Sequence, residues 1–138
     1  MNQDLEHLRL LSIFHYVVAG LIALFSLFPI FHLVLGIAMM TGGLDTGGDP
    51  AAPLVGGIFA GFALLIILLG LTLAVVVAMA GRGLARHDGY TFCLVVAAVE
   101  CVFMPLGTVL GVFTLIVLLR PSVKALFGVP PPEVAAQP

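Results

Sequence analysis

Three ionisable side chains stand alone in apolar stretches of this sequence and are its strongest candidates for chemistry. Glu100 lies within AAVECVFMPLGTVLG, residues 97–111, and His15 and His32 lie in an apolar segment from Leu10 to Met40. A charged residue at the centre of a transmembrane helix costs about 2.5–3.5 kcal/mol on insertion scales. Such a residue is either a functional group, for example a proton or cation site, or a polar group that fixes helix packing.

Depth along the helices makes His32 the expected partner of Glu100. If the first helix runs from inside to outside, both side chains fall in the outer part of the membrane. Pairing would satisfy both polar groups, and a proton relay would use the same two residues. Cys101 and Met104 are nearby soft donors, but CxxC and zinc spacings are absent, so we predict no metal site.

His15 begins a face of small residues on the first helix. His15, Ala19, Ala23 and Ser26 follow one another at spacings of four, four and three. Small residues in that pattern favour close helix packing. A haem held by His15 and His32 would need two copies or a fold-back at Pro29, since the two are about 25 Å apart on a straight helix. We predict no cofactor.

Two GxxxG patterns also predict close contacts between helices. Their glycines are Gly57 with Gly61 and Gly107 with Gly111. Both patterns suit intrachain packing as well as oligomerisation. The two cysteines, Cys93 and Cys101, lie about 12 Å apart on one helix, so we expect them to be reduced.

The composition excludes most soluble functions. Of 138 residues, 62% are hydrophobic and 9% are charged, with a mean hydropathy of +1.26. A soluble domain has about 25% charged residues. The net charge of −2 argues against a nucleic-acid partner. No hydrolase, P-loop or dinucleotide motif is present, so we predict that the chain is not an enzyme.

The apolar runs predict an all-α integral membrane protein built as one domain, residues 1–128, with a Pro-rich flexible tail at 129–138. We expect four transmembrane helices, the last two forming a short hairpin that turns at Pro105–Thr108. The spans are about 9–40, 53–80, 90–104 and 106–119. The connecting segments are an acidic loop at 41–52 and a basic loop at 81–89.

Charge favours four spans over the alternative of three long, kinked helices. With four spans, all basic residues fall on one side and both Asp45 and Asp49 on the other. Because Lys and Arg collect on the cytoplasmic side, both termini are predicted to be cytoplasmic. The last two spans are short, about 21–22 Å, and would need local bilayer thinning. The basic residues are Arg9, Arg82, Arg86, Arg120 and Lys124.

Two stretches carry a family resemblance. MPLGTVLGVFTLIVLLRPSVKALF, residues 104–127, resembles the C-terminal motif of an uncharacterised family of small bacterial multi-pass inner-membrane proteins. LRLLSIFHYVVAGLIALFSLFPIFHLVLGI, residues 8–37, is similar to the start of one group of them. The resemblance implies a location in the bacterial inner membrane and brings no activity or catalytic residue.

These observations predict a non-enzymatic membrane protein that acts through helix packing. Its partners would be the lipid bilayer and either further copies of itself or the other subunits of a membrane complex. The alternative function is a small transporter or channel with a protonatable site at Glu100 and His32.

Overall fold

The computed structural model describes residues 2–130, and 78% of these residues are helical with no strand among them. The prediction of an all-α chain is confirmed. The helices are α1 (Asn2–Ser26), α2 (Ile30–Met40), α3 (Ala52–Arg86), α4 (Tyr90–Glu100), α5 (Leu106–Leu118) and α6 (Pro121–Leu126). The predicted flexible tail falls almost wholly outside the described residues.

Pro29 separates the first long apolar segment into two helices. A proline inside a helix lacks an N–H donor and its ring clashes with the carbonyl four residues earlier. Accordingly α1 ends at Ser26, and α2 begins directly after Pro29. Helix α1 also begins at Asn2, seven residues before the predicted start, so the polar N-terminal segment is already helical.

Helix α3 runs without interruption for 35 residues, or about 52 Å. It continues through Arg86, so most of the predicted basic loop, residues 81–86, is helical. The chain turns at His87 and Gly89, whose φ angles are 56° and 67°. Glycine adopts such positive angles without strain, which allows α4 to begin at Tyr90.

Helices α4 and α5 form an antiparallel hairpin, here called the α4–α5 hairpin. Helix α4 ends at Glu100, four residues before the predicted end, and the turn occupies residues 101–105. Thr108, predicted to lie in the turn, belongs to α5. The hydroxyl of Thr108 donates a hydrogen bond to the carbonyl of Cys101 at 2.9 Å, which closes the turn.

The described contacts divide the chain into two compact units. The first unit contains residues 2–19 and 75–130, and the second contains residues 20–74. This division is finer than the single domain expected from the sequence. The core of the first unit is formed by Leu8, Leu11, Leu84, Cys93, Leu110, Val117, Leu118 and Val123.

In the second unit, α2 and α3 pack backbone against backbone. A Cβ atom at Gly36 would lie 2.7 Å from the carbonyl oxygen of Gly56 and 2.7 Å from the amide nitrogen of Ala60. Only glycine permits this approach. The acidic loop at residues 41–51 joins the two helices, as the sequence predicted, and Asp45 and Asp49 accept local backbone hydrogen bonds within it.

Two helical segments are long and apolar enough to span a membrane, Asn2–Met40 and Ala52–Arg86. Helices α4 and α5 are apolar but have only 11 and 13 residues. At about 16 and 20 Å, each is shorter than the ~30 Å hydrocarbon core of a bilayer.

Candidate functional site

The first unit buries a histidine and a glutamate against each other. His15 lies on α1 and Glu100 is the last residue of α4. Their residues are 0% and 2% exposed, respectively. Glutamate is almost never fully buried without a partner, so this pair is the most unusual feature of the unit.

The two side chains meet at an ion-pair distance. The Nε2 atom of His15 is 3.2 Å from the Oε2 atom of Glu100. The contact is nevertheless not a hydrogen bond, because the oxygen lies away from the direction in which an Nε2–H bond points. Glu100 Oε1 has no hydrogen-bond partner either. In total, three buried polar atoms lack a partner among the described residues: His15 Nε2, Glu100 Oε1 and Glu100 Oε2.

The other ring nitrogen of His15 fixes the tautomer. His15 Nδ1 is 2.8 Å from the carbonyl oxygen of Leu11, one turn earlier on α1. A carbonyl oxygen can only accept a hydrogen bond, so Nδ1 carries a hydrogen and donates it. In the neutral ring, Nε2 consequently carries a lone pair and no hydrogen.

Other polar side chains of the first unit donate to backbone carbonyls. Ser12 Oγ donates to Gly81 at 2.7 Å, which ties α1 to α3. Thr114 Oγ1 donates to Leu110, one turn earlier on α5, at 2.7 Å. The fully buried Cys93 thiol lies 3.6 Å from the carbonyl of Ala80. None of these groups hydrogen-bonds to Glu100.

Glycines bring the backbones around the pair close together. A Cβ at Gly81 would be 3.0 Å from the Cβ of His15, so α3 packs directly on the histidine. A Cβ at Gly107 would be 2.6 Å from the carbonyl oxygen of Glu100, and one at Gly111 would be 2.5 Å from that of Ala97. The GxxxG pattern of α5 therefore closes the α4–α5 hairpin.

The expected pairing of Glu100 with His32 is corrected by these contacts, because the carboxylate faces His15 instead. The prediction used depth along the helices alone, and depth does not determine which face of α1 turns toward α4. Counted from the observed helix starts, His15 lies about 20 Å along α1 and Glu100 about 15 Å along α4. His32 belongs to the second unit, where its ring lies 5.6–6.0 Å from the rings of Phe28, Phe31 and Phe59.

The other residues predicted to pack between helices differ in how far they are buried. Ala19 is buried with 6% exposure, and Ala23 is half-buried. A Cβ at Gly57 would make an ordinary contact with Met40, 3.7 Å from its sulfur atom. A Cβ at Gly61 would meet no described atom within 4 Å. The GxxxG pattern of α3 thus leaves Gly61 open.

The soft donors considered beside Glu100 do not form a ligand set with it. Met104 is 85% exposed, and Cys93 and Cys101 are free thiols. Within residues 2–130, no group of three or more His, Cys, Asp or Glu side chains is arranged to hold a metal ion.

A second polar contact, which the sequence did not reveal, joins the start of α1 to the segment after α5. Arg120 Nη1 lies 3.3 Å from Asp4 Oδ1 and 3.5 Å from His7 Nδ1. The pKa of the Asp4 carboxyl is below its ordinary value of 3.8, chiefly because the Ser122 hydroxyl hydrogen-bonds to it, with Arg120 adding to the effect and desolvation opposing it.

Ser12, Gly81 and Thr114 were also not identified from the sequence. Their roles depend on which helix lies opposite, and a single serine or glycine in an apolar run carries no signal of that neighbour. Comparisons with family models, curated proteins and solved structures give no match, so the resemblance to small bacterial membrane proteins stays a prediction.

Proposed function

We propose that this chain is a non-enzymatic integral membrane protein that acts through helix packing, as a homo-oligomer or as an accessory subunit of a membrane complex. The observation that carries the proposal is which side chains are buried in the protein and which are exposed on its surface. Many buried positions hold small or polar residues, including Ser12, Ala97 and Thr114, and the His15–Glu100 pair lies among them beside a core of leucine and valine side chains.

The exposed positions hold large apolar side chains along every long helix. Phe28, Leu54, Leu69 and Phe113 are all at least 60% exposed. A soluble protein rarely exposes large contiguous apolar patches, whereas lipid tails solvate them. Small residues at helix contacts are also typical of membrane bundles, because lipid offers no hydrophobic drive for larger ones. We place the chain in a bacterial inner membrane on the sequence resemblance alone.

The contact between Asp4 and Arg120 supports placing the two ends of the first unit on one side of the membrane. Helix α4 leads away from the end of α3, and α5 leads back to Arg120. A hairpin of two short segments would therefore return Arg120 to the side on which Asp4 lies. The proposed topology has four segments and both termini in the cytoplasm, with every Lys and Arg on that side. The bilayer would thin around the α4–α5 hairpin.

Reporter fusions test this topology. A reporter after Ala136 is expected to be cytoplasmic, and one inserted after Thr46 is expected to be outside. A C-terminal reporter on the outside would contradict four segments and favour three long helices. Water-soluble expression of the chain without detergent would contradict membrane insertion altogether.

The open glycine on α3 supports association with another helix. In the α4–α5 hairpin, the same GxxxG spacing is already filled by a neighbouring backbone. Gly61 has no such neighbour within the described residues. We propose that another transmembrane helix, from a second copy or from a different subunit, packs on this position.

Purification in mild detergent, followed by mass spectrometry and cross-linking, tests the association. Gly61→Ile is expected to abolish the associated species. Gly20→Ile is the matched control, because Gly20 is also exposed and a Cβ there also meets no described atom within 4 Å. A wild-type chain that remains monomeric and without partners in its native membrane would contradict the proposal.

A second candidate function is proton-coupled transport, with His15 replacing His32 as the partner of Glu100. The favouring observation is that three buried polar atoms of the pair have no hydrogen bond to any residue in the described part of the chain, an arrangement that stable structural pairs normally avoid. Reconstitution with a pH-sensitive dye tests it. Transport requires that Glu100→Gln abolish proton movement while His32→Gln does not, and an inactive wild type rejects it.

A further inference from the structure

A groove with apolar walls runs between α1 and α5 in the first unit. It has a volume of about 410 Å³, and its lining residues recur at spacings of three, one, three and four along both helices. Leu11 and Leu110 are buried in it, whereas Phe14 and Phe113 are more than half exposed. Among the described residues that line it, only His7 is polar. A ligand lying along the groove must therefore be apolar over nearly its whole length.

The length of the groove matches one leaflet of a bilayer. It extends from His7 to Val18 on α1 and from Leu106 to Val117 on α5, about 16 Å on each helix. The hydrocarbon core is about 30 Å thick, so one leaflet contributes about half of that thickness. One acyl chain spans one leaflet, whereas a transmembrane helix spans both. The length of the groove therefore favours an acyl chain as its occupant.

A guanidinium group lies at one end of the groove. Arg120 Nη1 is 3.5 Å from His7 Nδ1 and 3.3 Å from Asp4 Oδ1. Within residues 2–130, the side-chain contacts of Arg120 involve only Nη1, and the side chain is 42% exposed. A guanidinium carries five N–H donors in a planar fork, so Nη2 and Nε remain to donate to a phosphate bidentately.

The charges at this end leave one positive charge uncompensated. Lys124 lies one helical turn after Arg120, since its amide donates to the carbonyl of Arg120 at 3.0 Å, and within the described residues it forms no ion pair. Asp4 compensates one of these two positive charges. The other charged side chains at the start of α1, Glu6 and Arg9, are exposed and opposite in sign. With histidine neutral, this balance suits a phosphate diester, which carries one negative charge.

From this geometry we propose that the groove binds one anionic glycerophospholipid, with an acyl chain between α1 and α5 and its phosphate on the free edge of the Arg120 guanidinium. A glycerol headgroup leaves the phosphate as the net charge of the lipid, whereas a choline headgroup offsets it. The proposed topology places Arg120 at the cytoplasmic surface, so the lipid belongs to the cytoplasmic leaflet. The inference rests on the proposed membrane insertion and requires neither association at Gly61 nor transport.

Native mass spectrometry of the full-length protein, delipidated in detergent and titrated with lipid, measures the binding. The probes are dioleoyl phosphatidylglycerol and dioleoyl phosphatidylcholine, which have the same acyl chains and differ in net charge. We expect one phosphatidylglycerol per chain, bound more tightly than phosphatidylcholine. Equal affinity for the two lipids overturns the proposal. This comparison uses the unchanged chain, so it decides the proposal even where a variant fails to fold.

Two variants separate the phosphate contact from the contact between helices. Arg120→Gln and Asp4→Asn both break the ion pair between these residues, but only the first removes the phosphate donor. Arg120→Gln is expected to weaken phosphatidylglycerol binding about tenfold or more, the fold-change expected for a hydrogen bond to a charged group. Asp4→Asn should preserve the binding. Equal weakening by both variants overturns the proposal.

Filling the groove tests the position of the acyl chain. Val109 lines the groove and Val112 does not, although both are exposed on α5. Val109→Trp is expected to abolish lipid binding, and Val112→Trp is expected to leave it unchanged. Equal binding by these two variants overturns the proposal. A dimer that forms without lipid and is lost in Val109→Trp also overturns it, because the groove then belongs to a second copy.

Failure of membrane insertion is visible separately from failure of the lipid site. A chain that purifies without detergent rejects the proposed membrane location. A detergent-solubilised chain with no preference for phosphatidylglycerol rejects the lipid site alone.

Discussion

The imidazole of His15 and the carboxylate of Glu100 lie 3.2 Å apart in the interior of the first unit, joining the middle of α1 to the last residue of α4. Gly81 of α3 packs against the same histidine. Three helices are therefore positioned around one buried polar contact. In an exterior made of large apolar side chains, this contact specifies which face of each helix turns inward.

Removing one member of the pair is expected to destabilise the protein more than removing both. His15→Leu or Glu100→Leu alone leaves a buried polar group without its partner, at a cost of about 3–5 kcal/mol. The double variant leaves neither, so its loss should fall well below the sum. Unfolding in detergent micelles measures the free energy of unfolding of the three variants. His32 has no carboxylate partner among residues 2–130, so His32→Leu should cost less than about 1.5 kcal/mol. Additive losses would show that the two side chains do not interact.

Adding a methyl group inside the α4–α5 hairpin is expected to force its helices apart. At Gly107 and Gly111 the new Cβ would lie 2.6 and 2.5 Å from carbonyl oxygens of α4. Overpacking of this kind costs about 1–3 kcal/mol per site. Gly20→Ala is the control: its Cβ meets no described atom within 4 Å, and alanine favours helix by up to about 1 kcal/mol. Thermal unfolding should rank the control above both hairpin variants, and equal stability of all three would contradict the close packing.

The two cysteines are expected to differ in reactivity. Cys93 is 0% exposed and Cys101 is half-buried at the turn of the hairpin. A small membrane-permeant maleimide should therefore label the Cys93→Ser protein, through Cys101, faster than the Cys101→Ser protein. Complete labelling of the unfolded wild type without reductant would verify that both thiols are free. Faster labelling at Cys93 would contradict the burial of α4 against α3.

The contact between α1 and α6 is expected to weaken in acid. Because the pKa of Asp4 in the folded protein lies below 3.8, the contact stabilises the folded state above about pH 3.8. That contribution is lost as the pH falls through the lower, folded-state value. Asp4→Asn should reduce protection of the first-turn amides of α1 from hydrogen exchange at pH 6, and wild type and variant should converge once the pH falls below the folded-state pKa of Asp4. A difference that persists below the folded-state pKa of Asp4 would exclude an ionic origin.

Local pattern alone was enough for the helical architecture. Uninterrupted apolar runs specified two long helical segments, since the length and hydropathy of a run are properties of neighbouring residues. The acidic loop predicted at 41–52 followed from its glycines, whereas the first span was predicted as one segment, 9–40, which the structure divides into two helices at Pro29. Glu100 was also identified from the sequence as a candidate site residue, because a single carboxylate in an apolar run must either be functional or find a polar partner.

The tertiary structure decided which residues meet. Whether His15 or His32 faces Glu100 depends on where α1 begins and how it is rotated against α4, and an apolar sequence specifies neither quantity. The two GxxxG patterns are indistinguishable as sequence, yet one is filled by the backbone of α4 and the other is open at Gly61. Helix rotation and register arise from contacts between residues far apart in the chain, such as Ser12 with Gly81, and these exist only once the helices have packed.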